Sequence, residues 1–222
     1  MSLRESKRRL ISFEGMEGCG KSTQIQRVNE WLEQSGKDVL VVREPGGTPL
    51  GEAIRHLLKH DESGIEMCDE TELMLFAASR AELTRKKIIP HLEMGGWVLC
   101  DRFLDSTTIY QGRARGLNTD VVQQINRFAI KDTYPGLTLV LDLPLERAFE
   151  RMAARKQADD PRDRMEEQSM DFFQTVSDSY RELAIQDPER VSLINADDTP
   201  DQVFSIIQKT ISHAFHGELD PR

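Results

Sequence analysis

Residues 11–23 read ISFEGMEGCGKST. An apolar run ends, glycines follow at 15, 18 and 20, and Lys21-Ser22-Thr23 opens a segment of helical character. The octet from Gly15 to Ser22 satisfies G-x-x-x-x-G-K-[ST], a pattern that works only where a buried strand hands over to a helix. The glycines let the backbone curl until its N–H groups converge, and the helix N-terminus adds positive potential. Lys21 can then reach β and γ phosphates, and Ser22 can ligate Mg²⁺. Gly15, Gly18, Gly20, Lys21, Ser22 and Thr23 are therefore the candidate nucleotide-phosphate set.

The rest of the chain repeats that grammar. Short apolar, often β-branched runs predict strands at Leu10–Glu14, Val39–Arg43, Trp97–Asp101, Leu137–Leu143 and Val191–Asn195. Helical spacing appears between them: Ile25, Val28 and Leu32, closed by Gly36; Leu73, Phe76, Ala77 and Arg80; Val121 to Ile130; and Val203, Ile206, Ile207 and Ile211. Asp163-Arg164-Met165-Glu166 reads as a capping box ahead of a helix carrying Met165, Phe172, Val176, Tyr180 and Leu183. Strand–helix alternation implies right-handed crossovers and an α/β fold, a five-stranded parallel sheet flanked by helices, as one domain over residues 1–222. Ligands of such sheets bind at the carboxyl ends of the strands. "EG", "REPGG" and "DR" all fall there.

Charge narrows the ligand. A net charge of −9 argues against a nucleic-acid polymer as partner, since lysine and arginine dominate that kind of binding. Three widely spaced cysteines, Cys19, Cys68 and Cys100, suggest neither a disulfide framework nor a zinc site and fit a reducing cytoplasm. No apolar run approaches membrane length, and the basic N-terminus is not followed by a signal-like apolar segment. Against this acidic background, Arg43, Arg55, Arg80 and Arg102 gather at strand ends or on the helices that follow. Planar guanidinium groups suit phosphate, and Asp101, next to Arg102, can hold Mg²⁺ through water.

Several segments together resemble the bacterial type of thymidylate kinase: "FEGMEGCGKST", "REPGGTPLGEAIR", "LMLFAASRAEL", "VLCDRFLDSTTIYQG", "ARG", "LDLP" and "DRMEEQSMDFF", in the family's order over roughly residues 9–213. The resemblance implies the three-layer fold of P-loop nucleoside monophosphate kinases and the reaction ATP + dTMP → ADP + dTDP, with Mg²⁺. It implies that Phe76 stacks on the thymine ring and that Arg80, Thr107 and Gln111 reach its polar edge. Tyr110 would lie under the sugar, Arg55 and Arg102 would bind the acceptor phosphate, and Glu17 would sit by the 3′-hydroxyl and the metal. Ser22, Asp101 and Glu17 are the metal candidates. A homodimer paired through helices is also implied.

Phosphoryl transfer needs positive charge on the migrating group. The phosphate loop carries no arginine, so the charge must come from elsewhere; the polar stretch 151–165 reads as a mobile lid, and the resemblance implies that this lid supplies the arginine. Arg151, Arg155, Arg162 and Arg164 are candidates, with Arg155 and Arg164 favoured; Lys21, Asp101 and Arg102 complete the catalytic set. A kinase for another monophosphate would keep the loop and arginines but not the base pocket. A GTPase-like switch would need N-K-x-D, and "PLERAFERM" after "LVLDL" lacks it. A third reading is a nucleotide-binding regulator that no longer turns over; the intact Lys21, Ser22, Asp101 and Arg102 argue against it, and turnover separates it from an enzyme.

Overall fold

The computed structural model describes residues 9–59, 67–155 and 168–219, with the side chain of Arg155 excepted. Five strands, β1 (Leu10–Glu14), β2 (Val39–Arg43), β3 (Trp97–Asp101), β4 (Leu137–Asp142) and β5 (Val191–Asn195), form one parallel sheet in the order β2-β3-β1-β4-β5. Four strands keep the bounds expected from their apolar runs. β4 stops at Asp142 rather than Leu143, and the Asp142 side chain turns to the guanidinium of Arg181.

The sheet is covered on both faces, as a parallel sheet must be. Ile11, Phe13, Trp97 and Leu99 look into one core with Val28, Leu32, Phe173, Val176 and Ile207. Leu10, Val98 and Cys100, one residue out of phase, look into the other with Leu83, Ile88, Leu92, Phe103 and Ile130. This period-two division makes three layers from nearly continuous apolar strands. The first core draws on α1 (Lys21–Gln34), α8 (Met170–Gln186) and α9 (Pro200–Ala214); the second on α3 (Asp69–Leu83), α4 (Ile89–Glu93) and α6 (Thr119–Ile130). The shorter α2 (Pro49–Lys59), α5 (Leu104–Thr107) and α7 (Leu145–Arg155) follow β2, β3 and β4.

Local chemistry sets several helix ends. Gly36, at φ 73°, closes the α1 end while the Lys37 N–H bonds back to the Leu32 carbonyl. Asn118 caps α6 by accepting from the N–H groups of Asp120 and Val121. Thr199 and Gln202 form a reciprocal capping box on α9, a pattern the sequence carries plainly but that periodicity passes over. The box expected at Asp163–Glu166 lies outside the described residues; within them α8 begins at Met170, capped by the Ser169 hydroxyl.

Two stretches are π-helical, which no spacing in the sequence announced. Thr84–Ile88 widens the helix just before Pro90, whose ring and missing N–H disturb an ordinary α turn. Thr108–Ala114 does the same at the sheet edge, with the Arg115 N–H reaching the Tyr110 carbonyl five residues back.

Candidate active site

β1 lies between β3 and β4, so the loops leaving β1 and β3 meet at one edge. Phe13 is in register with Asp101, and the Phe13 carbonyl accepts the Arg102 N–H at 3.0 Å. Arg102 sits at φ 66°, a left-handed conformation costly for a residue with a Cβ and typical of residues aimed at a site.

The phosphate loop runs from Gly15 to the first turn of α1. Gly15 (φ 124°) passes so close to β4 that a Cβ would lie 2.6 Å from the Leu141 carbonyl oxygen. Gly20 (φ 96°) turns the chain into the helix. Lys21 folds back, its Nζ donating to the carbonyls of Gly15 at 3.1 Å and Met16 at 2.9 Å. Ser22 and Thr23 stand exposed in the first turn.

A cavity of about 250 Å³ opens beside this loop. The phosphate-loop residues Glu17, Gly18, Gly20, Lys21 and Ser22 line it together with Arg55, Asp101 and Arg102 and with Phe76, Arg80, Thr107, Tyr110 and Gln111. The structure thus brings together residues from four separate segments singled out in the sequence. Arg102 is ion-paired with Glu17, donates to the Ser106 hydroxyl at 3.1 Å, and lies over the Tyr110 ring with its guanidinium carbon 5.2 Å from the centroid. The Tyr110 hydroxyl donates to the other Glu17 oxygen at 3.3 Å. Burial works against the Glu17 charge, but Arg102 and Lys21 outweigh it and hold the carboxyl below its usual range. Arg55 donates to the Pro45 carbonyl at 2.9 Å.

Arg80 is only 1% exposed. It donates to Glu44 (2.7 Å), Asn126 (2.7 Å), Thr107 (2.9 Å) and the Phe103 carbonyl (3.3 Å). Its partners lie just after β2, on α5 and the residue before it, and on α6, so Arg80 braces a wall of the cavity in addition to the base contact expected of it. Gln111 donates to Glu72, and Arg115 grips the same carboxylate. The wide turn Thr108–Ala114 carries Tyr110 and Gln111.

Behind Arg102 lies a polar cluster that the motifs did not name. Glu14, fully buried, accepts from Ser12 Oγ (2.8 Å), the Phe103 N–H (2.8 Å), Ser106 Oγ (2.6 Å) and the Tyr180 hydroxyl (2.9 Å). Burial, reinforced by the charge of Asp105, raises its affinity for a proton despite Arg102. A carboxyl inside an otherwise apolar strand was the available signal. Tyr180 reads as one more apolar position on its helix, and its ring is indeed buried; only its hydroxyl is functional in character. Glu44, Ser106 and Arg115 lie inside quoted motifs without an assigned part, and Asn126 and Glu72 look like ordinary helix residues.

Oxygen donors suit Mg²⁺, which keeps several waters and uses one or two carboxylates plus substrate phosphates. The Ser22 hydroxyl and the Asp101 carboxylate fit that demand. Both Glu17 oxygens are engaged by Arg102 and Tyr110, so Glu17 fits it less well. No group of three or more histidine, cysteine, aspartate or glutamate side chains that could hold a metal occurs among the described residues.

Of the expected lid at 151–165, residues 151–155 form the last part of α7. Arg151 points a guanidinium nitrogen at the Gly18 carbonyl, 3.4 Å away, which places α7 directly against the phosphate loop. Arg155 ends the helix; Arg162 and Arg164 lie outside the described residues.

Glu44 provides a pH test. One of its oxygens meets Arg80, while the other is sealed without a hydrogen-bond partner among the described residues. Burial, stronger than the pull of Arg80, pushes its pKa up to about 7 from an ordinary 4.5. Between those values the folded chain holds a proton that the unfolded chain has released, so Glu44 makes stability fall as pH rises from 4.5 to 7. The Glu44→Gln variant should therefore lose less stability than the wild type between pH 5.5 and 7.5, by about 2 kcal/mol, in denaturant titrations at the two pH values. An unchanged slope refutes a titrating Glu44.

Comparison with known proteins agrees with this geometry. The family model "Thymidylate kinase" matches residues 13–207. The chain is 42% identical over 208 residues to the thymidylate kinase of Syntrophotalea carbinolica, covering 93% of this chain and 96% of that protein. It is 45% identical over 185 residues to that of Kosmotoga olearia, covering 83% and 86%. Among solved structures, the thymidylate kinase from Ehrlichia chaffeensis superposes with a TM-score of 0.72 at 31% identity, covering 91% of this chain and 97% of that one. With the P-loop, the paired strand ends and the arginine-lined cavity on one sheet edge, these matches place the chain in the thymidylate kinase family.

Proposed function

We propose that the cavity at the β1–β3 edge is where the family's reaction takes place: the γ-phosphoryl group of ATP passes to dTMP, giving ADP and dTDP for dTTP synthesis. The observation that carries this reading is continuity. One cavity is walled by the phosphate loop, by Arg55 and Arg102, and by Phe76, Arg80, Tyr110 and Gln111. Groups suited to phosphates and groups suited to a base thus border one cavity.

The loop N–H groups and the α1 N-terminus cradle the ATP phosphates. Lys21 rests on neutral carbonyls rather than on a carboxylate, so its charge is available to a phosphate. Arg102 exchanges Glu17 for the acceptor phosphate, aided by Arg55. Ser22 and Asp101 would hold Mg²⁺, which when bound would neutralise charge on the transferring phosphates. The attacking phosphate oxygen is already ionised near neutral pH, so Asp101 need only orient and hold the ion. Phe76 stacks on the base, Arg80, Thr107 and Gln111 meet its polar edge, and Tyr110 packs under the sugar.

ADP release with Mg-ATP and separate dTMP, dUMP, UMP, CMP, AMP and GMP tests this. ADP should form with dTMP, matched by equal dTDP. Preference for another monophosphate discards the pocket, and ADP without any acceptor points to an ATPase. Arg155 and Arg164 are our candidates for the lid charge. Replacing the catalytic one by alanine should lower kcat by about 10³. Single and paired variants that keep full kcat exclude both residues.

We further propose that two copies pair. Leu57, Met74 and Phe128 are 57%, 58% and 79% exposed on α2, α3 and α6, where α3 packs against both neighbours. Large apolar side chains on adjoining helices fit a second copy of this chain. Light scattering should give twice the 25.4 kDa chain mass, and a monomer at assay concentration overturns the pairing. No described helix is long and apolar enough to cross a membrane. The described cysteines are all free, which suits a cytoplasmic enzyme.

A further inference from the structure

Gln111 meets the cavity with an amide, and an amide has two faces. Its NH₂ offers donors and its carbonyl is an acceptor; turning it over reverses what a ligand meets. Gln111 Nε2 donates to Glu72 Oε1 at 2.8 Å. Glu72 is completely buried and receives Arg115 on both oxygens, Nε at 3.3 Å to one and a terminal nitrogen at 3.2 Å to the other. Arg115 is itself fixed, stacked 5.2 Å from the Phe172 ring centroid and bonded to Gln168. A carboxylate paired in this way only accepts hydrogen bonds. The Gln111 NH₂ must therefore face Glu72, and its carbonyl must face away. That carbonyl oxygen accepts no hydrogen bond among the described residues, and Gln111 lines the cavity.

We propose that Glu72 is a positioning residue for base specificity: it locks the Gln111 amide with its acceptor toward the base. The proposal rests on the reading of this part of the cavity as the base pocket. One turn before Gln111, the Thr107 hydroxyl and the Arg80 guanidinium meet at 2.9 Å and supply donors. An acceptor beside donors matches a pyrimidine with a ring N–H next to a 4-carbonyl, as in thymine and uracil. It opposes cytosine, which has a bare ring nitrogen next to an amino group. Without the Glu72 carboxylate the amide can turn and serve either edge. A purely structural Glu72–Arg115 pair would not alter that choice.

The test is kcat and KM for dTMP and dCMP in the wild type, Glu72→Gln, Gln111→Ala and the double variant. Glu72→Gln should raise KM for dTMP about tenfold with kcat largely kept, the scale of one misdirected hydrogen bond, and narrow the preference for dTMP over dCMP by a similar factor. The double variant should be no worse than Gln111→Ala, because Glu72 acts only through Gln111. An unchanged preference in folded Glu72→Gln, or losses that multiply in the double variant, overturns the positioning role. If Gln111→Ala alone changes neither KM nor preference, the base-pocket reading itself falls, and the proposal with it. Should Glu72→Gln not fold, Glu72→Asp keeps the charge for Arg115 while withdrawing it from Gln111, and the same narrowing of preference is required.

Discussion

The pairing of β1 with β3 is the constraint on which the site depends. Phe13 opposite Asp101 brings two strand ends to one level, and the hydrogen bond from the Arg102 N–H to the Phe13 carbonyl ties the two departing loops together. A one-residue slip would turn each strand's side chains to the other face. Ile11 and Phe13 would leave one core, Leu10 would leave the other, and Arg102 would no longer face the phosphate loop. The two apolar cores thus hold the register of the strand ends, and Tyr110 and Tyr180 reach from one of them into the site.

On that frame the cavity is shaped by carboxylate–guanidinium pairs. Glu17 holds Arg102, Glu44 holds Arg80 and Glu72 holds Arg115. Buried pairs of this kind add little net stability, because desolvation consumes much of the attraction. Their value here is direction. Each guanidinium has a planar fork of donors, and a carboxylate on one side determines what is left for the other. This is how a chain of net charge −9 can line one cavity with guanidinium groups. Glu17 and Glu44 share the cavity lining with Arg102 and Arg80, and the Glu72–Arg115 pair meets the lining through Gln111.

Parts of this arrangement were plain in the sequence because they are local. The phosphate loop is a contiguous octet whose glycines and lysine work within one turn of chain. The strands were legible because buried parallel strands are short apolar runs, and "DR" and "REPGG" because ligand residues follow strand ends. Glu14, Glu72, Asn126 and Tyr180 were not legible as site residues. Each looks like a strand or helix residue until its partner, 22 to 166 positions away, is in place. The π turn at Thr108–Ala114 was hidden for another reason: its backbone bonds shift by one residue without changing the composition.

The sequence by itself determined the five-stranded α/β frame, the phosphate loop and the arginines of the site, since hydrophobic periodicity and a contiguous motif both act over a few residues. Tertiary structure alone decided which carboxylate faces which arginine, that Arg80 braces a wall, that α7 abuts Gly18, and which way the Gln111 amide points. Those outcomes depend on groups far apart in the chain meeting in a dry interior, where every donor must find an acceptor and the fold chooses the pair.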